Sequence, residues 1–174
     1  MKHQPWLDQL IDTFNRKGIE ILELRSKAVT SVLHARNSFN KFNSRGFDYH
    51  PVNIVSVVGD VHKLIKYFDK KFDLIFSVSY FEHFAIPWVA ATEINKQLKV
   101  NSHIFTKTHI ANRFNETHCN LLYLINSEPK ILFSSAIGYK CLDTNYEQFN
   151  CRKTLYLCRR IFKIYTNKKA LLPQ

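Results

Sequence analysis

Glycine is scarce in this chain, with four residues in 174: Gly18, Gly46, Gly59 and Gly138. None lies between residues 23 and 30, so no turn in that stretch can use glycine's conformational freedom. The four cysteines (Cys119, Cys141, Cys151 and Cys158) form no CxxC pair and no zinc-type spacing, which argues against a structural metal. In a reducing compartment they pack as small apolar thiols. No apolar run approaches the ~20 residues that a membrane-spanning helix needs. The first residues, Met1 to Asp8, lack the apolar core of a signal peptide, so the expectation is a cytoplasmic protein with no membrane span.

What is present is the material of one core. Hydrophobic residues make up 45% of the chain and aromatics 14%, the profile of a folded domain, and the length suits a single domain over 1–174. The formal charge of +11 would let a surface hold nucleic acid. The basic residues are scattered, however, except at Arg152-Lys153, Arg159 to Lys163 and Lys168-Lys169, and charge alone does not assign a function. Abundant Lys, Asn, Ile and Phe also fit the compositional bias of an AT-rich coding sequence.

The periodicity predicts alternating strands and helices. Residues 5–17 read as an amphipathic helix, with Trp6, Leu7, Leu10, Ile11 and Phe14 on one face and Gly18 to end it. Strands follow at 19–24, 46–49, 53–58, 72–77 and 103–108, with a helical turn or two over 61–67 and a proline-started helix over 87–98. Residues 25–44 read as a loop with a short helix. Ser127-Glu128-Pro129 opens a helix that runs to Gly138, and strands at 139–142 and 154–165 form an edge hairpin. Such alternation predicts a doubly wound α/β fold, a mostly parallel Rossmann-like sheet flanked by helices.

Ligands of such sheets bind beyond the carboxyl ends of the strands. Four consecutive predicted strands end there in a polar group: Glu23, Asp48, Asp60 and Ser77. The residues around them resemble the motifs of class I S-adenosylmethionine (SAM) dependent methyltransferases, the type 11 methyltransferase domain group, over about 19–142. Ile21-Leu22-Glu23-Leu24 looks like the first motif, Gly46-Phe47-Asp48 like the second, and Val58-Gly59-Asp60-Val61 like the third. Phe72 to His83, followed by Pro87-Trp88, resembles the fourth, and Glu93 to Lys99 the helix end after it.

The resemblance implies SAM as cofactor, with Glu23 and Ser26 at its methionine end, Asp48 on the ribose hydroxyls, Asp60 and Val61 at the adenine and Ser77 as the pocket floor. A carboxylate accepts from both hydroxyls of a diol, and an acidic rim suits a sulfonium. Methyl transfer asks the protein mainly to position two reactants and exclude water. His83 is the expected catalytic base for an acceptor that arrives protonated, with His109 as a second choice. Asp73 reads as a turn residue, and Trp88 and Phe84 as core or pocket wall. The acceptor is unknown, with a small molecule or glycan favoured; a partner subunit could complete so short a chain.

The family's first motif continues into a glycine loop, whereas this chain reads Glu23-Leu24-Arg25-Ser26-Lys27. Arg25 sets a long cation where the family has its first glycine, and Val100-Asn101-Ser102 stands where the family turns on Pro-Gly-Gly. The alternatives to a working methyltransferase are a catalytically inactive binding or assembly protein and a basic RNA-binding protein, both on the same fold.

Overall fold

The structure is a computed structural model. It describes Asp12, Phe14 and residues 17–24, 43–51, 55–78, 80–109, 132–150 and 157–167. Seven strands make one sheet: β1 (Glu20–Leu24), β2 (Asn43–Asp48), β3 (Val57–Val58), β4 (Phe72–Val78), β5 (Leu98–His109), β6 (Tyr139–Asn150) and β7 (Leu157–Asn167). Their spatial order is β3-β2-β1-β4-β5-β7-β6. The first five are parallel. β7 lies between β5 and β6 and runs antiparallel to both. The α-helix α1 (Pro87–Gln97) connects β4 to β5, and 3-10 turns occupy Val61–Lys66, Phe81–His83 and Ser135–Ile137.

The central strands are covered on both sides, and β1 is buried from Ile21 to Leu24, Glu23 included. On one face Leu22, Leu24, Phe47, Ile75 and Ile104 meet Ala90, Ala91 and Ile94 of α1, Leu64 of the first 3-10 turn, and Phe81, Phe133 and Tyr139. The two alanines let α1 approach the sheet closely. Glu93 and Gln97 then tie the helix to the chain before β4: Glu93 Oε2 accepts from the Ile65 amide at 3.2 Å, and Gln97 Nε2 donates to the Phe68 carbonyl at 3.2 Å. On the other face Ile21, Leu74, Phe76 and Phe105 are buried. There Phe14 sets its ring edge-on to His103, with centroids 5.1 Å apart.

The helix expected over 5–17 is described only at Asp12 and Phe14, both helical, and Gly18 takes the left-handed φ of 84° that ends it. The segment 25–42 and the opening of the helix expected at Ser127 lie outside the described residues. The end of that later helix is described, closing on Gly138 at φ 87°.

Three expectations need correction. The third strand, expected over 53–58, is a strand only at Val57–Val58 among the described residues, as suits a sheet edge with one neighbour. The fifth, expected from His103, begins at Leu98 directly after α1. The turn expected there is taken up inside the strand: Asn101 adopts φ 64°, and the pairing with β4 steps from Phe72↔Leu98 to Leu74↔His103. Trp88, expected as core or pocket wall, is not core but 60% exposed, because Pro87, Ala90, Ala91 and Ile94 occupy the buried side of α1.

Candidate functional site

The parallel topology brings the ends of β1, β2, β3 and β4 to one rim of the sheet. Glu23 pairs in register with Gly46, two residues before Asp48, so the two acids lie on the same face of adjacent strands. Both are buried. Ser77 is the register partner of Leu24, one residue further along β1, and so lies on the opposite face. The sequence reading set all four strand ends along one rim; within it Glu23 and Asp48 share one face of the sheet and Ser77 lies on the other.

Asp48 closes β2 with a tight turn, its Oδ1 accepting from the His50 amide at 3.2 Å. Its Oδ2 is shut off from solvent and has no hydrogen-bond partner among the described residues. A buried oxygen of this kind costs about 1–3 kcal/mol unless something donates to it. The neighbouring strand is held in place by the Gly59 amide, which donates to the Asp48 carbonyl at 2.9 Å.

Asp60 follows Gly59 and caps the 3-10 turn. Its Oδ1 accepts from the His62 amide at 2.9 Å and lies 2.6 Å from His62 Nδ1. Burial raises the Asp60 pKa, but the hydrogen bonds from His62 and the charge of Lys63 outweigh it, leaving the carboxyl below its ordinary value. The Asp60 amide donates to the Tyr67 hydroxyl at 3.2 Å. Val61 is buried in the core.

His62 was not among the site residues expected from sequence; nothing in Asp-Val-His distinguishes it there. Its Nε2 accepts from the Ile86 amide at 3.3 Å, so the ring proton sits on Nδ1 and is donated to Asp60. One imidazole thereby links the turn after β3 to the segment between β4 and α1.

His83 ends the 3-10 turn that follows β4; it is half-buried, and its amide donates to the Tyr80 carbonyl at 2.9 Å. His109 is the last residue of β5, in register with Arg160. Ser26 lies outside the described residues. Asp73 stands at the other end of the sheet, its Oδ2 accepting from the Glu20 amide at 2.9 Å and from Lys99 Nζ at 2.7 Å. Ser77 Oγ is buried without a partner among the described residues, and so is Thr106 Oγ1, its register neighbour on β5. Thr106 gives no signal in the sequence, where it is one threonine in a strand.

Residues 17–106 match the family described as "Methyltransferase domain". The chain belongs to this methyltransferase domain family. No curated protein matches it in sequence. Among solved structures, the YcgJ protein of Bacillus subtilis is 15% identical, with a TM-score of 0.72 over 96% of this chain and 100% of its own. A SAM-dependent methyltransferase from Methanosarcina mazei is 9% identical, with a TM-score of 0.64 over 97% of this chain and 99% of its own. The [4+2]-cyclase SpnF is 12% identical, with a TM-score of 0.69 over 94% of this chain and 80% of its own. At these identities the likeness is one of fold: the Rossmann-like methyltransferase fold.

S-adenosylmethionine is the cofactor that membership of the methyltransferase domain family implies. The residues present fit it on one observation of their own. Asp48 Oδ2 is a buried carboxylate oxygen lacking a donor, at the strand end where a ribose diol would supply one. Among the described residues there is no cluster of metal-ligating side chains, and no helix is long and apolar enough to cross a membrane.

Proposed function

We propose that this methyltransferase domain binds SAM at the carboxyl ends of β1–β4 and transfers its methyl group to a small-molecule or glycan acceptor. The observation that carries the reading is the orphaned Asp48 Oδ2 in a chain of this family. In this reading Asp48 holds the ribose hydroxyls, with Oδ1 steadied by the His50 amide and Oδ2 left for the ligand. Asp60 and Val61 border the adenine. With Oδ1 given to His62, the second oxygen of Asp60 and the backbone of the turn are what remain for the exocyclic amine. Glu23 and Ser26 border the methionine end, Ser77 floors the pocket, and His83 faces the acceptor and takes its proton. The bound cofactor supplies a methyl group activated on a sulfonium, which the buried Glu23 and Asp48 favour by their charge. A cytosolic setting suits the four cysteines, which stay reduced there.

A second reading has a specific observation behind it. The absence of glycine after Glu23, with Arg25 in its place, favours a domain that keeps the fold without methylating. The [4+2]-cyclase neighbour illustrates a fold of this kind carrying another name. Calorimetric titration with SAM and with S-adenosylhomocysteine separates the two. Binding at micromolar strength, about −8 kcal/mol, supports the first reading; no heat and no thermal shift at millimolar ligand leaves the second.

A further inference from the structure

Contacts from two separate segments converge on the His62 imidazole. Nδ1 lies 2.6 Å from Asp60 Oδ1, Nε2 accepts from the Ile86 amide at 3.3 Å, and the ring stands edge-on to Phe84 with centroids 5.9 Å apart. An imidazole that accepts at Nε2 is neutral and carries its proton on Nδ1, so the tautomer that serves Ile86 is also the one that donates to Asp60. The side chain is 22% exposed and packs on the buried Phe84, which fixes the plane in which both nitrogens act.

At the Asp60 end, Oδ1 takes two donors, since the His62 amide also reaches it at 2.9 Å. The Asp60 amide is held in turn by the Tyr67 hydroxyl at 3.2 Å, so backbone and carboxylate are both anchored to one turn. Hydrogen bonds to the ionised form favour it, and an ionised carboxylate oxygen only accepts. The Asp60 side chain is 36% exposed, so its second oxygen stays within reach of a ligand. At the other end, Ile86 opens α1 without a capping side chain, and Pro87 after it has no amide. His62 supplies the acceptor for the Ile86 amide from 24 residues away, and so fixes where the segment after the 3-10 turn Phe81–His83 enters the helix.

We infer that His62 is a positioning residue of the cofactor site: it aims the second oxygen of Asp60 at the 6-amino group of the adenine and pins the segment that carries His83 to the adenine turn. This rests on the proposed reading that SAM binds over β1–β4, and it adds that the site reads the base. The 6-amine of adenine donates, whereas the 6-oxo group of hypoxanthine accepts and is repelled by a fixed carboxylate. A site committed to pairing with an amino group rejects the analogue that lacks it. Selectivity for adenine over hypoxanthine thus depends on His62 acting through Asp60.

The test titrates the full chain with S-adenosylhomocysteine and with its deaminated counterpart, S-inosylhomocysteine, and follows hydrogen exchange at the Ile86 amide in the ligand-free protein. Wild type should bind the adenosyl compound at least about tenfold more tightly. His62→Phe keeps a ring against Phe84 but loses both nitrogens; it should bring the two affinities together and speed exchange at Ile86. His62→Asn returns a donor near the place of Nδ1 and should restore selectivity without protecting Ile86. His62→Gln, with an oxygen near the place of Nε2, should protect Ile86 without restoring selectivity. That split is not the mark of a merely structural residue, whose loss would move both readouts together. Selectivity unchanged in His62→Phe, both readouts falling together in all three variants, or a wild type that binds the two compounds equally overturns the inference and leaves the cofactor reading standing. A wild type that binds neither compound overturns the cofactor reading and this inference with it.

Discussion

Replacing Asp48 by asparagine separates a ligand-binding carboxylate from a structural one. Asparagine keeps an oxygen where Oδ1 accepts from the His50 amide at 3.2 Å, so the turn after β2 is preserved. What changes is Oδ2, the buried oxygen with no partner in the ligand-free protein. The change exchanges that oxygen for an NH2 group and removes a buried charge whose only described donor is the His50 amide, and the ligand-free protein should therefore melt no lower than wild type. Binding should move the other way. A hydrogen bond to a charged group contributes about 1.5–3 kcal/mol. At 1.4 kcal/mol per tenfold, its loss weakens S-adenosylhomocysteine about 10- to 150-fold. The assay is paired: calorimetric titration for the dissociation constant and thermal denaturation without ligand for stability. An unchanged dissociation constant would refute the ribose assignment. A large fall in melting temperature would refute it differently, by making Asp48 a structural residue whose loss weakens binding only through the fold.

Other substitutions test other links. A Cβ on Gly59 would overlap the Tyr67 ring, reaching to 2.6 Å from Cε1 and 2.8 Å from Cε2, and that ring also packs edge-on against Phe47 at 5.4 Å. Gly59→Ala should therefore cost about 1–3 kcal/mol in urea unfolding, the range for overpacking; an unchanged midpoint would show that the ring moves freely. Burial lowers the His103 pKa below its ordinary 6.5. The unfolded chain then takes up a proton that the folded one resists, so this contribution is present above pH 6.5 and is lost as pH falls toward the folded value. His103→Phe, which keeps a ring against Phe14, should flatten melting temperature against pH in that window, and an identical slope would discount the residue. Arg25→Gly should tighten SAM binding by restoring the loop residue that the cofactor's approach requires; weaker binding would mean that Arg25 belongs to the site.

How much was legible depended on how local the signal was. β1 and β4 read cleanly because strands buried on both faces are rich in apolar residues, and Ile21, Leu22, Leu24, Phe72, Leu74, Ile75 and Phe76 supply them. Asp48 stood out as an acid closing a short strand behind Gly46-Phe47. The start of β5 did not, because Lys99, Asn101 and Ser102 look like a turn; the helix passes into the strand without one, and the kink is absorbed at Asn101. Trp88 misled because large aromatics are commonly buried, whereas α1 uses alanines where it meets the sheet. Thr106 and His62 were invisible for a deeper reason. Their interest lies in partners 29 residues back and 24 residues on, Ser77 and Ile86, and no window of local sequence contains both members.

The position of β7 has a consequence for the order in which the protein can be assembled. β6 is made before β7, but its place in the sheet exists only once β7 has paired with β5. Until then β5 offers an unpaired edge, and β6 is the nearest strand able to occupy it wrongly. The final strand is thus the keystone of that half of the molecule. A chain stalled before Leu157 keeps β1 to β5 but carries β6 as a segment without a seat. Loss of β7 should consequently be damaging to solubility, because it leaves both β5 and β6 without their partner.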